Sequence, residues 1–101
     1  MKTTMIRYKT KPERTDENQK LIEAVFAELN AKAPDGVRYA ALKLGDGSFV
    51  HIVTVEGTGG PSAISQLAAF QPFQNGIKDR ASEPPQSAEV TVVGNYRMLA
   101  G

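Results

Sequence analysis

The sequence predicts an α+β fold with the element order β-α-β-β-α-β, and three observations carry that prediction. Two apolar stripes, Leu21, Ile22, Val25, Phe26 and Leu29 in one segment and Ile64, Leu67, Phe70, Phe73 and Ile77 in another, mark two amphipathic helices. Runs rich in β-branched and aromatic residues lie before, between and after them. Between two such runs stands Gly45-Asp46-Gly47, and Asp-Gly in that setting signals a hairpin.

Residues 4–10 alternate, with Ile6 and Tyr8 on one side and Met5, Arg7 and Lys9 on the other, and form the first strand. Thr10-Lys11-Pro12-Glu13 has the form of a capping box, and Asp16-Glu17-Asn18-Gln19 is a second start signal; the first helix begins between them. Ala33-Pro34-Asp35-Gly36 ends it, because Pro34 lacks a donor and Gly36 tolerates positive φ. Residues 37–44 and 48–56 form the second and third strands, antiparallel across the Asp-Gly turn. Gly57-Thr58-Gly59-Gly60-Pro61 is a connector fit to act as a lid, and Ser62 can cap the second helix, which Pro72 kinks or divides. Pro84-Pro85 leads into a fourth strand at residues 88–96, carried by Val90, Val92 and Val93.

The chain has 101 residues, the size of one domain. Hydrophobic residues at 41% and charged residues at 23% fit a packed soluble domain. A net charge of +1 is too small for the positive field of a nucleic-acid binder. Without cysteine there is no disulfide, thiolate metal site or cysteine nucleophile. The first residues lack a signal-peptide apolar stretch and no later run is long enough to span a membrane, so the expected location is the cytoplasm.

The predicted order is that of the ferredoxin-like split βαβ arrangement, a four-stranded antiparallel sheet with two helices on one face. Two helices cover one face only. Yet the third strand is apolar on both sides, Phe49, His51, Val53 and Val55 against Val50 and Ile52. A homodimer through the sheet faces buries the second side.

The segments Met5-Ile6-Arg7-Tyr8-Lys9-Thr10-Lys11-Pro12-Glu13, Phe49-Val50-His51-Ile52-Val53 and Leu67-Ala68-Ala69-Phe70-Gln71-Pro72-Phe73 resemble the dimeric α/β-barrel superfamily, and within it the small antibiotic-biosynthesis-monooxygenase-like domains. The resemblance follows the element order along nearly the whole chain. It implies a homodimer whose sheets form a barrel, with a hydrophobic pocket between sheet and helices of each subunit. Several members are cofactor-independent oxygenases of quinols or polycyclic phenols; others degrade heme or act as isomerases. Members acting on quinols often place histidine before the phenylalanine of the second helix, where this chain has Ala69 before Phe70, and the tryptophan of other oxygenases has no counterpart.

His51 is the only histidine, so acid-base chemistry by imidazole falls to it. It serves as a pocket base toward a phenol or enol, as a donor orienting a ligand, or as a core histidine satisfied by a partner. Arg7, Tyr8, Tyr39 and Tyr96 lie on predicted strands and offer polar tips to a cleft, while Phe49, Phe70 and Phe73 form its wall or plain core. The glycine-rich connector lacks the phosphate-loop pattern, and no metal-ligand spacing or nucleophile elbow occurs; neither metal nor cofactor is expected.

Two functions follow. One is a small cofactor-independent enzyme, monooxygenase-like or isomerase-like, acting on an aromatic or enolisable compound around His51. The other is a non-catalytic dimeric protein that binds a small ligand or is associated with stress. A cavity holding His51 with tyrosine or arginine tips favours the first; His51 paired to backbone among Phe and Val favours the second.

Overall fold

The computed structural model describes residues 2–56 and 64–98. Strand β1 (Lys2–Thr10) runs through a 3-10 turn at Pro12–Arg14 into helix α1 (Thr15–Lys32). Strands β2 (Val37–Lys43) and β3 (Ser48–Val55) follow, then short helices α2 (Phe70–Asn75) and α3 (Ile77–Arg80), and strand β4 (Ala81–Val90). The sheet order is β2-β3-β1-β4 with every neighbouring pair antiparallel, so each helical connection skips one strand. This is the predicted ferredoxin-like α+β fold.

Pleating sorts the strands into two faces. Tyr8 and Phe49 are buried against Ile22 and Val25 of α1, Phe73 of α2 and Leu67, which together form the core. Both helices therefore pack on one face, the one that carries His51. The alternate residues Met5, Val50, Ile52, Ala88 and Val90 lie on the other face, with Leu42, which is 51% exposed, on the β2 edge.

The predicted hairpin forms as expected. Gly47 sits at φ +88 and Asp46 Oδ1 accepts the Ser48 N–H at 2.9 Å. Gly36 likewise takes φ +77, and its carbonyl accepts the Glu56 N–H. The left-handed cap of α1, however, is Ala33, at φ 43, whose N–H reaches the Leu29 carbonyl at 2.7 Å.

Three expectations need correction. The capping box does not form: Thr10 is buried, its hydroxyl bonding the Gly47 carbonyl and lying 2.8 Å from Thr15 Oγ1. Pro72 does not kink a single helix: the second helical segment is divided, with breaks at residues 66–69 and at Gly76. Pro72 occupies the first turn of α2, between them, where an N–H would lack an intrahelical partner anyway. The fourth strand begins at Ala81 rather than 88 and ends at Val90, leaving Val93 98% exposed and Tyr96 off the sheet. Pro84 and Pro85 fit because Gln86 pairs with Arg7 and Glu83 with Lys9, so two prolines oppose Tyr8 alone in a bulge on an edge strand. The 57–61 connector and the Ser62 cap lie outside the described residues.

Candidate functional site

His51 is central because of register. Directly opposite it stand Ile6 on β1 and Ala41 on β2, while Tyr8 pairs with Phe49 and Tyr39 with Val53. Each tyrosine is thus the diagonal neighbour of His51 on the same face, a separation that an aromatic side chain spans. Tyr8 Oη lies 2.9 Å from His51 Nε2, and Tyr39 Oη lies 2.7 Å from Nδ1. The imidazole, 2% exposed, has both nitrogens bonded to phenolic hydroxyls.

The chain of polar groups continues away from the sheet. Asn18 projects from α1 in phase with Ile22 and Val25, is 0% exposed, and donates from Nδ2 to Tyr8 Oη at 2.9 Å. Arg80, at the end of α3 and 1% exposed, donates from Nε to Asn18 Oδ1 at 2.9 Å and from Nη2 to the Phe73 carbonyl at 2.6 Å. Its guanidinium also lies 5.4 Å from the Phe73 ring centroid. Gly76 leaves room for it, since a Cβ there would stand 2.5 Å from Arg80 Nη1.

Burial fixes protonation in this row. It pushes the His51 pKa down to about 4, so the imidazole is neutral near pH 7. It pushes Tyr8 up to about 12 against the bond from Asn18, and raises Tyr39 as well. All three rings are neutral.

Beside them is a cavity of about 290 Å³, near the low end for small-molecule sites, which run roughly from 300 to 1,000 Å³. Tyr8, Tyr39, His51 and Gln74 supply its polar groups, and Ile6, Val53, Ile64, Phe70, Phe73, Ile77 and Pro85 its apolar wall. Phe73 bridges wall and network, its ring centroid 5.6 Å from that of His51. Glu28 helps place this wall: its carboxylate accepts the N–H groups of Ala68 and Ala69 at 3.0 and 2.8 Å, just ahead of α2, and lies 2.7 Å from Lys32 Nζ.

Of the residues singled out in the sequence, His51, Tyr8, Tyr39, Phe70 and Phe73 come together here. Phe49 stacks on Tyr8 with centroids 5.6 Å apart and lines a separate hollow beneath α1. Arg7 is exposed at a hollow beside the β4 bulge, and Tyr96 is 82% exposed beyond β4. Neither joins the cavity, because alternation turns Arg7 away from Tyr8 and the strand ends before Tyr96. Asn18 and Arg80 escaped the sequence reading. Asn18 belongs to the helix-start signal and no local pattern marks Arg80; the one available cue is Asn18's position four residues before Ile22 on the apolar stripe. Among the described residues no group of three His, Cys, Asp or Glu could hold a metal ion, and no helix is long and apolar enough to cross a membrane.

No protein-family model matches the chain, and no curated protein matches it. Solved structures do. An antibiotic biosynthesis monooxygenase matches with a TM-score of 0.73 at 14% identity over 93% of this chain and 100% of its own. Rv0793 from Mycobacterium tuberculosis matches with 0.72 at 12% identity over 93% and 96%. A protein of unknown function from Nitrosomonas europaea, NE2512, matches with 0.70 at 20% identity over 99% and 96%. At these identities the likeness is one of fold.

Proposed function

We propose that this chain, which shares its ferredoxin-like fold with antibiotic biosynthesis monooxygenase structures, is a single-domain, homodimeric cytoplasmic enzyme that acts without a cofactor on a small aromatic or enolisable compound. The observation that carries this reading is the pairing of His51 with two tyrosine hydroxyls, not with backbone, at the wall of an apolar cavity. Both of its partners are hydroxyl groups that can each give or take a proton.

With both imidazole nitrogens occupied, His51 acts on a ligand through Tyr39. The Tyr39 hydroxyl meets the oxygen of a phenol, enol or ketone, and His51 exchanges a proton with Tyr39 as charge develops on that oxygen. In an isomerase-like reaction the ligand's proton moves between carbon and oxygen with no net redox change. In an oxygenase-like reaction the ligand's keto form reduces dioxygen by four electrons: one oxygen atom replaces the two hydrogens of a ring methylene as a carbonyl, and the other leaves with those hydrogens as water. Phe70 and Phe73 hold the ring in place, and the apolar wall strengthens the polar contacts made against it.

The homodimer rests on the uncovered sheet face, where Met5, Val50, Ile52, Ala88 and Val90 are contiguous across three strands. Light scattering at micromolar concentration showing a monomer would reject it. The enzyme reading is tested by incubating the protein with a panel of quinols, phenols and enolisable ketones while following oxygen uptake and product mass. Turnover of a panel member, reduced at least about 100-fold in Tyr39→Phe, is the expected result; no turnover of any member by the parent protein overturns it.

A further inference from the structure

The hydrogen bonds from Arg80 to Tyr39 have only one consistent direction. A guanidinium can only donate, so the Asn18 atom 2.9 Å from Arg80 Nε is the carbonyl Oδ1, and the amide Nδ2 must face Tyr8. Tyr8 Oη therefore accepts from Asn18. Its own proton needs an acceptor, because Tyr8 is buried and an orphaned hydroxyl donor there is costly. The acceptor in reach is His51 Nε2, at 2.9 Å. A neutral imidazole carries one proton, which then lies on Nδ1 and is donated to Tyr39 Oη at 2.7 Å. Tyr39 is left with its O–H unspent, at the wall of the cavity.

We propose that Arg80 and Asn18 are positioning residues that determine specificity: by fixing this direction they make Tyr39 a hydrogen-bond donor to the cavity, which selects an aromatic ligand presenting an acceptor oxygen over one that can only donate. The proposal rests on the cavity being the ligand site, as read above. It goes beyond that reading in assigning roles to two residues that never touch the ligand, and in naming the polarity of the contact.

The single histidine makes the direction measurable. In protein labelled with ¹⁵N at histidine, the parent shows a protonated Nδ1 and a bare Nε2. Asn18→Asp replaces the donor facing Tyr8 by a carboxylate oxygen while keeping an acceptor for Arg80. Tyr8 then donates to the carboxylate, His51 Nε2–H donates to Tyr8, Tyr39 donates to Nδ1, and the tautomer inverts. Arg80→Lys, which still donates to Asn18, keeps the parent tautomer. Binding follows: the parent prefers 1-indanone, which only accepts, to indole, which only donates, and Asn18→Asp shifts the ratio of the two dissociation constants toward indole by about tenfold, the worth of one hydrogen bond.

A proton on Nε2 in the parent overturns the proposal, and this readout stands even where Asn18→Asp fails to fold. An unchanged tautomer in folded Asn18→Asp, or an inverted tautomer with an unchanged ratio, overturns it while the cavity reading survives. Failure of both probes to bind the parent overturns the cavity reading and this proposal together.

Discussion

Arg80 donates its Nε proton to Asn18 Oδ1 across 2.9 Å, joining the last helix to the first inside the core. The two residues are 62 positions apart in sequence, and both are buried. A buried guanidinium bonded to a neutral amide, a backbone carbonyl and a ring face is tolerable only while every donor keeps its partner.

Removing Asn18's amide should be costly. Asn18→Leu strands Arg80 Nε and the Tyr8 oxygen inside the core, and unfolding in urea should show a loss of about 2–4 kcal/mol. Adding Arg80→Met removes one of the stranded groups, so the double variant should lose less than the sum of the two single variants. Additive losses would mean that the pair is not coupled.

His51 makes stability depend on pH in a definite window. Its folded pKa, about 4, lies below the unfolded value of 6.5, so between these values the unfolded state binds a proton that the folded state refuses. Stability is therefore full above pH 6.5, falls as the pH drops toward 4, and loses about 3 kcal/mol in all. His51→Gln should flatten the profile between pH 6.5 and 4.5. An equally steep profile in that variant would assign the slope to other groups.

Glu28 has its own window further down. Lys32 and the amides of Ala69 and Ala68 hold its carboxyl down at about 2, against 4.5 when free. Its contribution is present above pH 4.5 and disappears as the pH falls through 2. Glu28→Gln should melt below the parent at pH 6, and the two melting temperatures should converge near pH 2. The same substitution should shift the amide signals of Ala68 and Ala69 in the NMR spectrum.

Ala33 carries strain that glycine would relieve. At φ 43 its Cβ crowds the backbone, at a cost that glycine avoids. After the extra chain entropy of unfolded glycine is set against this, Ala33→Gly should gain about 0.5–1 kcal/mol in urea unfolding. A loss would show that the left-handed cap costs alanine nothing here.

Much of this fold is legible in the sequence because periodicity and turn chemistry agree with the final topology. The stripe from Leu21 to Leu29 packs as its spacing predicts, and Asp46-Gly47 turns the hairpin. The fourth strand lies upstream of its predicted place: Val90, Val92 and Val93 have strand propensity, whereas pairing with β1 draws the strand back through two prolines that a bulge accommodates. At the site, His51 is legible as the only histidine and Tyr8 and Tyr39 as strand residues. Their meeting depends on a register that brings both onto the diagonals of His51. Asn18 and Arg80 were illegible for another reason: polar residues in a core are chosen by the partners they find there, and no local pattern encodes a bond across 62 residues.

The most direct test of a ligand site around His51 is an NMR titration of the labelled protein with small phenols and quinols. The cavity reading predicts saturable shifts at Tyr8, Tyr39, His51, Phe70 and Phe73, abolished or weakened at least about tenfold by Tyr39→Phe. Shifts confined to Arg7, Tyr96 or the open sheet face, or none at all, would contradict it.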